Sequence, residues 1–315
     1  MKTKNPLFSV VIPVYNEEGN VLPLFKEIKK VMTRLGSFEI IFVNDGSTDN
    51  TGVELKRLRK VKIVQFRKNF GQSAALDAGV KAAKGKYVVT LDGDGQNDPA
   101  DIPKLFGKLN QGYDVVCGWR YNRKDNWIRK FISEGARRLR SVLVDDKVHD
   151  AGCTLRVYNK VCFTDLDLAG EMHRMIPAIL RWRGFRITEL KVNHRPRIIG
   201  KSKYGMSRTI KGFLDMLLIW FTRKYNNRPL HLFGTVGLSL IFASVLLLSA
   251  LAILKTFYGY SLSDKIWPLV GMISFLAGIQ LLVSGILADL TIKNNTVSKE
   301  WMIKTVRGPK KISTK

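Results

Sequence analysis

Short apolar runs alternate with amphipathic stretches through the first third of the chain. Phe8–Ile12, Phe38–Val43, Val61–Phe66, Tyr87–Leu91 and Asp114–Cys117 read as strands. Helical periodicity marks Asn20–Leu35, Thr51–Arg59, Ser73–Ala83 and Ile102–Asn110 between them. Strands this continuously apolar, alternating with helices, predict a parallel sheet covered on both faces. Residues 118–200 are less regular and rich in arginine, with further strands expected at Thr154–Tyr158 and Phe185–Asn193, and they complete the same domain.

The pattern changes after residue 206. Phe213–Phe221 is apolar apart from Asp215 and is flanked by Arg208, Lys211, Arg223, Lys224 and Arg228. It is too short to span a bilayer and reads as a helix lying in the membrane interface, with an ordinary buried helix as the alternative. Leu232–Leu254 and Ile266–Leu290 are almost free of charge and long enough to cross a hydrocarbon core of roughly 30 Å. The expected organisation is a catalytic domain over 1–206, an interface region over 207–229, a two-helix transmembrane hairpin over 230–290 and a basic tail over 291–315.

Charge sharpens this picture. The chain carries 52 Lys and Arg against 26 Asp and Glu, a formal +26. Such an excess suits nucleic acid, anionic lipid or phosphorylated substrates. With no zinc-finger spacing or other nucleic-acid motif and two apolar spans, the last two are favoured and nucleic acid is not an expected partner. Basic residues precede the first span and follow the second, where seven Lys and Arg from Lys293 to Lys315 face Glu300 alone. The positive-inside rule therefore predicts that both termini and the catalytic domain are cytoplasmic. Exposed interface helices also point to self-association. Cys117, Cys153 and Cys162 form no C-x-x-C pair and read as reduced thiols.

Doubly wound sheets bind ligands beyond the carboxyl ends of their strands. Polar clusters stand at three such ends: 13–18 after the first strand, 44–49 after the second, and Asp92-Gly93-Asp94-Gly95-Gln96 after the fourth. Asp92 and Asp94, with the neutral oxygen of Gln96, suit a hard divalent cation, Mg²⁺ or Mn²⁺, that keeps positions open for a diphosphate. A charged turn is the structural alternative. Asp45 is expected to face a base or ribose, while Thr48 or Asp49 starts the next helix.

The segments Pro-Val-Tyr-Asn-Glu-Glu at 13–18, Val-Asn-Asp-Gly-Ser-Thr-Asp at 43–49 and Asp-Gly-Asp-Gly-Gln-Asn-Asp-Pro at 92–99 resemble glycosyltransferase family 2, with its Rossmann-like GT-A α/β fold. Gly118-Trp119-Arg120, 129–133, 150–153 and 197–203 resemble its polyprenyl-phosphate branch, which includes dolichyl-phosphate mannose synthases and undecaprenyl-phosphate glucosyltransferases. The resemblance covers nearly the whole chain, paired spans included. It implies that Pro13, Tyr15, Glu17 and Asp45 hold the nucleoside of a nucleotide-sugar, with Asp92 and Asp94 on the metal and donor diphosphate beside Gln96. Arg120, Arg129, Ser133 and Arg197 then receive the phosphate of a polyprenyl (undecaprenyl or dolichyl) acceptor. One departure is glycine at 93, where alanine is commoner.

The implied reaction is inverting transfer of a hexose from a donor of UDP-glucose or GDP-mannose type. Asp150 is nominated as base or orienter, a turn cap being its alternative. Glu171 and His173 stay ambiguous between phosphate contact and structure, and Arg137, Arg138 and Arg140 read as surface. Two rival functions are a processive polysaccharide synthase and a non-catalytic membrane scaffold. The synthases' Q-x-x-R-W segment is missing its glutamine here, since Ala178 stands at that position before Arg181-Trp182.

Overall fold

The computed structural model describes residues 5–120, 147–168, 170, 172–196, 216–217, 220–221, 224–225, 229–263 and 265–294. The chain divides near residue 218 into two compact units.

The first unit is a seven-stranded sheet. Its strands are β1 (Phe8–Val14), β2 (Phe38–Asn44), β3 (Lys62–Gln65), β4 (Tyr87–Thr90), β5 (Val115–Arg120), β6 (Arg156–Asn159) and β7 (Ile187–Val192). They lie in the order β3-β2-β1-β4-β6-β5-β7. Strands β1 to β4 are mutually parallel, as is β5 with β7, but β6 runs antiparallel to both β4 and β5. The sheet is thus mixed, not all-parallel as the apolar pattern predicts. A run of buried residues records burial on two faces and carries no strand direction.

Alternation along β1 builds two cores. Phe8, Val10 and Ile12 pack against α1 (Val21–Leu35), Leu55 of α2 (Thr51–Arg57) and α4 (Ile102–Leu109). Helix α1 turns Val21, Leu24, Ile28 and Met32 inward, the spacing of one helical face. On the opposite face lies α3 (Gln72–Ala82), and its Gly79 leaves room for the sheet: a Cβ there would sit 2.3 Å from Val11 Cγ1 and 3.0 Å from Val43 Cγ2. A further short helix, α5 (Ile176–Trp182), precedes β7.

Strand order reverses between β1 and β4, so a crevice opens beyond their carboxyl ends. The walls of this crevice are the loops 15–20 and 44–54, which hydrogen-bond to each other repeatedly. Asn16 N–H donates to Ser47 Oγ, Thr48 N–H to Asn16 Oδ1, Glu17 N–H to Thr51 Oγ1 and Gly19 N–H to Glu54 Oε1. Asp49 accepts from the Thr51 and Glu18 amides, a structural task at the start of α2.

The second unit is a hairpin of two long helices, α6 (Pro229–Tyr258) and α7 (Trp267–Asn294). Both are long and apolar enough to cross a membrane. Glycines let the backbones meet: a Cβ on Gly237 would lie 2.6 Å from the Gly278 carbonyl oxygen, and one on Gly278 would lie 2.7 Å from that of Gly237. Large side chains such as Phe242 and Leu276 point outward and are exposed, as a lipid-facing surface requires. Phe257, Tyr258, Tyr260 and Trp267 are exposed at and beside the connecting turn, and aromatic side chains of this kind are enriched at membrane-water interfaces. The interface helix expected around 207–225 falls mostly outside the described residues; its described parts 216–217, 220–221 and 224–225 are helical.

Closing the gap at position 79 tests the packing of α3. Gly79→Ala is expected to destabilise the first unit by about 1–3 kcal/mol, as overpacking does, read as a lower midpoint in thermal unfolding of the full chain.

Candidate active site

Asp92 and Asp94 follow β4 directly, opposite the end of β1. Gly93 between them is a matter of space: a Cβ there would meet Val14 Cγ1 at 2.5 Å and the Pro13 carbonyl oxygen at 3.1 Å. An alanine needs Val14 to move.

Asp92 is fixed from two sides. Gln72 Nε2, at the start of α3, donates to its Oδ1 at 2.7 Å, and the Thr154 hydroxyl also bonds its carboxylate. Thr154 is itself tied to Asn97, whose Nδ2 donates to Thr154 Oγ1 at 3.1 Å. Asp92 keeps some solvent access, but protein crowds its carboxyl. Burial, then the charge of Asp94, pushes its pKa up to about 6. Arg120 works in the other direction and Glu17 with Asp94, so these four charges share one neighbourhood. Asp94 is buried and accepts from the Gln96 amide at 3.1 Å. The Gln96 side-chain nitrogen points to the Arg195 carbonyl.

A carboxyl group crowded by burial and by a second carboxylate beside it fits a divalent cation, which would offset that repulsion. Among the described residues no group of three or more His, Cys, Asp or Glu is placed to hold an ion. A pair is what a Mg²⁺-like ion needs when a substrate's phosphates complete its shell.

Arg120 ends β5 and forks onto Asp150. Nε donates to Oδ2 at 2.6 Å, Nη2 to Oδ1 at 2.8 Å, and the Arg120 amide also donates to Oδ2 at 3.2 Å. Burial alone would lower the guanidinium pKa, but the Asp150 carboxylate outweighs it and holds the pKa above its ordinary value. The pair leaves no room for a side chain at Gly152, where a Cβ would come within 2.8 Å of Arg120 Nη2.

The structure brings Pro13 and Asp92 to one cavity, lined also by Gln72, Thr154, Arg156 and His173. Tyr15 and Glu17 stand in the loop after β1 and are half-buried. Asp45, expected to face a ligand, is nearly inaccessible and accepts from Phe70 N–H at 2.7 Å, Gly71 N–H at 3.0 Å and Asn69 Nδ2 at 3.0 Å. Burial raises its pKa and those backbone bonds oppose the rise. Three of a carboxylate's roughly four acceptor positions are thereby used to brace the 69–71 loop. Gly46 beside it has φ +67° and a Cβ position only 2.3 Å from the Lys68 carbonyl carbon, so no other residue fits there. Arg129, Ser133, Arg197 and Glu171 lie outside the described residues.

Sequence reasoning missed Gln72, Thr154 and Arg156. Arg156 is 2% exposed, and its guanidinium is satisfied by neutral oxygens: Cys153 O at 2.8 Å, Ala151 O at 2.7 Å, His173 O at 3.2 Å and Tyr158 Oη at 3.4 Å. One arginine inside an apolar strand is the signal that points to it. Gln72 and Thr154 carry no such mark. His173 is buried on Ser73: its amide donates to Ser73 Oγ at 3.1 Å, and its Nδ1 shares a further hydrogen bond with the same hydroxyl at 2.9 Å.

A carboxylate pair thus stands at the switch point of a GT-A-like mixed sheet. The comparisons agree. Residues 9–166 match the family model "Glycosyl transferase family 2". The chain is 37% identical over 311 residues to a dodecaprenyl-phosphate galacturonate synthase of Rhizobium johnstonii, covering 95% of this chain and 92% of that protein. It is 32% identical over 313 residues to an undecaprenyl-phosphate 4-deoxy-4-formamido-L-arabinose transferase of Proteus mirabilis, covering 96% and 94%. In fold it is similar to glucosyl-3-phosphoglycerate synthase of Mycobacterium tuberculosis, solved with Mn²⁺, UDP and phosphoglyceric acid. The TM-score is 0.55 at 19% identity, covering 69% of this chain and 78% of that one. The chain belongs to glycosyl transferase family 2 and is a glycosyltransferase.

The raised pKa of Asp92 has a consequence for stability. From the ordinary carboxyl range up to about pH 6 the folded state keeps a proton that the unfolded chain has released. Stability of the metal-free protein therefore falls as pH rises through that window. Asp92→Asn is expected to raise metal-free stability at pH 7.5 by about 1–3 kcal/mol, an advantage that disappears near pH 4. Thermal unfolding in chelator at the two pH values checks this.

Proposed function

We propose that this glycosyltransferase moves a sugar from a nucleotide-sugar to a polyprenyl phosphate, inverting the anomeric centre. The observation that carries the reading is the crowded pair Asp92 and Asp94 with the cation Arg120 inside the same electrostatic neighbourhood. Support comes from two relatives named for polyprenyl-phosphate sugar transfer, matched along nearly their full length.

The chemistry needs little from the protein in the way of proton transfer. A phosphate monoester has its second pKa near 6, so the acceptor is largely dianionic at neutral pH and already nucleophilic. An acceptor oxygen attacks the anomeric carbon, the bond from that carbon to the donor diphosphate breaks, and the nucleoside diphosphate leaves with the bonding electrons. Asp92 and Asp94, with Gln96, would hold a Mg²⁺ or Mn²⁺, which supplies positive charge to the leaving diphosphate. Pro13, Tyr15 and Glu17 line the donor side, with Asp45 bracing the loop at 69–71.

Arg120 receives the acceptor phosphate, helped by Arg129, Ser133 and Arg197. Asp150 orients Arg120 in this scheme, each of its oxygens accepting from the guanidinium fork. The two apolar helices anchor the enzyme where its lipid acceptor resides, and the basic flanks argue for a cytoplasmic catalytic unit.

For the sugar, we rank galacturonate ahead of the glucose or mannose type, on the 37% relative. The test is a panel of nucleotide-sugars, including UDP-linked galacturonate, glucose and a 4-formamido pentose together with GDP-mannose, offered with undecaprenyl phosphate and Mg²⁺ or Mn²⁺. Mass spectrometry of the lipid product identifies the donor. Asp94→Asn should fold normally and lose transfer by about a hundredfold or more. Wild-type protein that glycosylates no polyprenyl phosphate from any donor would sink the proposal.

A further inference from the structure

The Arg120–Asp150 pair is bolted from behind. Strand β5 alternates its side chains, so Trp119 and Arg120 leave it on opposite faces. The chain returns at 149–150 and grips both: Asp150 forks onto Arg120, while His149 stacks on Trp119 with centroids 4.6 Å apart and planes 17° from parallel. Neighbouring residues thus clasp the strand end like a finger and thumb.

His149 is anchored in turn by Glu189 of β7. One carboxylate oxygen accepts the His149 amide at 2.9 Å, and the other lies 2.7 Å from Nδ1. A carboxylate only accepts, so Nδ1 carries the proton. Glu189 is mostly buried although His149 is half-exposed. Strand register completes the arrangement: Trp119 pairs with Lys191, whose Nζ sits 5.4 Å from the indole centroid. Trp119 therefore has both an imidazole and an ammonium group against its ring, and Glu189 and Lys191 share one face of β7.

We propose that Glu189 and His149 are positioning residues for the transfer reaction: they hold the 148–150 backbone so that Asp150 aims Arg120 at the acceptor phosphate. This rests on the function proposed above. Neither residue touches the cavity at Asp92, and their effect passes through Asp150. Removing the anchor frees the 149 amide and ring together, and the guanidinium loses its fixed bearing while keeping its charge. Misplacement of a reacting group by about 1 Å costs on the order of a hundredfold, so partial loosening should cost about tenfold.

The test uses the full-length enzyme in detergent or bilayer. Glu189→Ala should lower kcat about tenfold, leave KM for the nucleotide-sugar within twofold, and shift the melting temperature by only a few degrees. Glu189→Gln, which keeps an acceptor for the amide, should recover part of the rate. In an Arg120→Lys background, where the fork is already broken, Glu189→Ala should cost less than twofold further, because coupled residues are not additive. Full additivity, or a Glu189→Ala enzyme as fast as wild type, overturns the inference. Hydrogen exchange reads the same anchor without turnover. Glu189→Ala should speed exchange of the Arg120 amide, which donates to Asp150, by tenfold or more. An unchanged rate there overturns the positioning role even in a protein that transfers no sugar, whereas a faster rate in such a protein upholds it and removes only the functional reading.

Discussion

Two like charges forced together at the end of one strand organise this protein. Asp92 and Asp94 sit where the sheet ends, and burial together with the charge of Asp94 makes Asp92 harder to ionise. Left alone, such a pair would spread or take up a proton. Here Gln72, Thr154 and the Gln96 amide hold the carboxylates in place from three separate segments. The fold accepts an electrostatic cost at Asp92 of the kind a divalent ion would offset.

The guanidinium groups divide the remaining work. Arg120 is paired with a carboxylate and lies at the strand end, where a phosphate can reach its field. Arg156 is sealed beneath the sheet edge and spends its donors on carbonyls from 151, 153 and 173. It stitches the segment that carries Asp150 to the turn that carries His173. A buried guanidinium bonded this way costs desolvation; its return is the fixed geometry of three chain segments.

The proposed lipid acceptor would account for a sheet unit followed by a hairpin of two apolar helices. Their mutual packing relies on glycine contacts at Gly237 and Gly278, since lipid offers no hydrophobic drive for helices to associate. The first unit is held by the ordinary burial of strand and helix faces. The two units thus follow different rules of assembly.

Much of the architecture was legible before any coordinates, because it is local. Strand runs, the inward stripe of α1, the two spans and the polar clusters at strand ends all follow from hydrophobic period and turn chemistry within a few residues. The carboxylate pair belongs to this class, since Asp92 and Asp94 are neighbours along the chain. Strand direction was not local: Arg156–Asn159 reads the same forwards or backwards, and only its seat between β4 and β5 made it antiparallel. The same holds for contacts between distant segments, such as Gln72 on Asp92, Asp45 on the 69–71 loop, and Asp150 with His149 on either side of β5. Short-range pattern sets which faces are buried; which side chains then meet depends on how the sheet stacks segments that are far apart in the chain, and that information exists only in three dimensions.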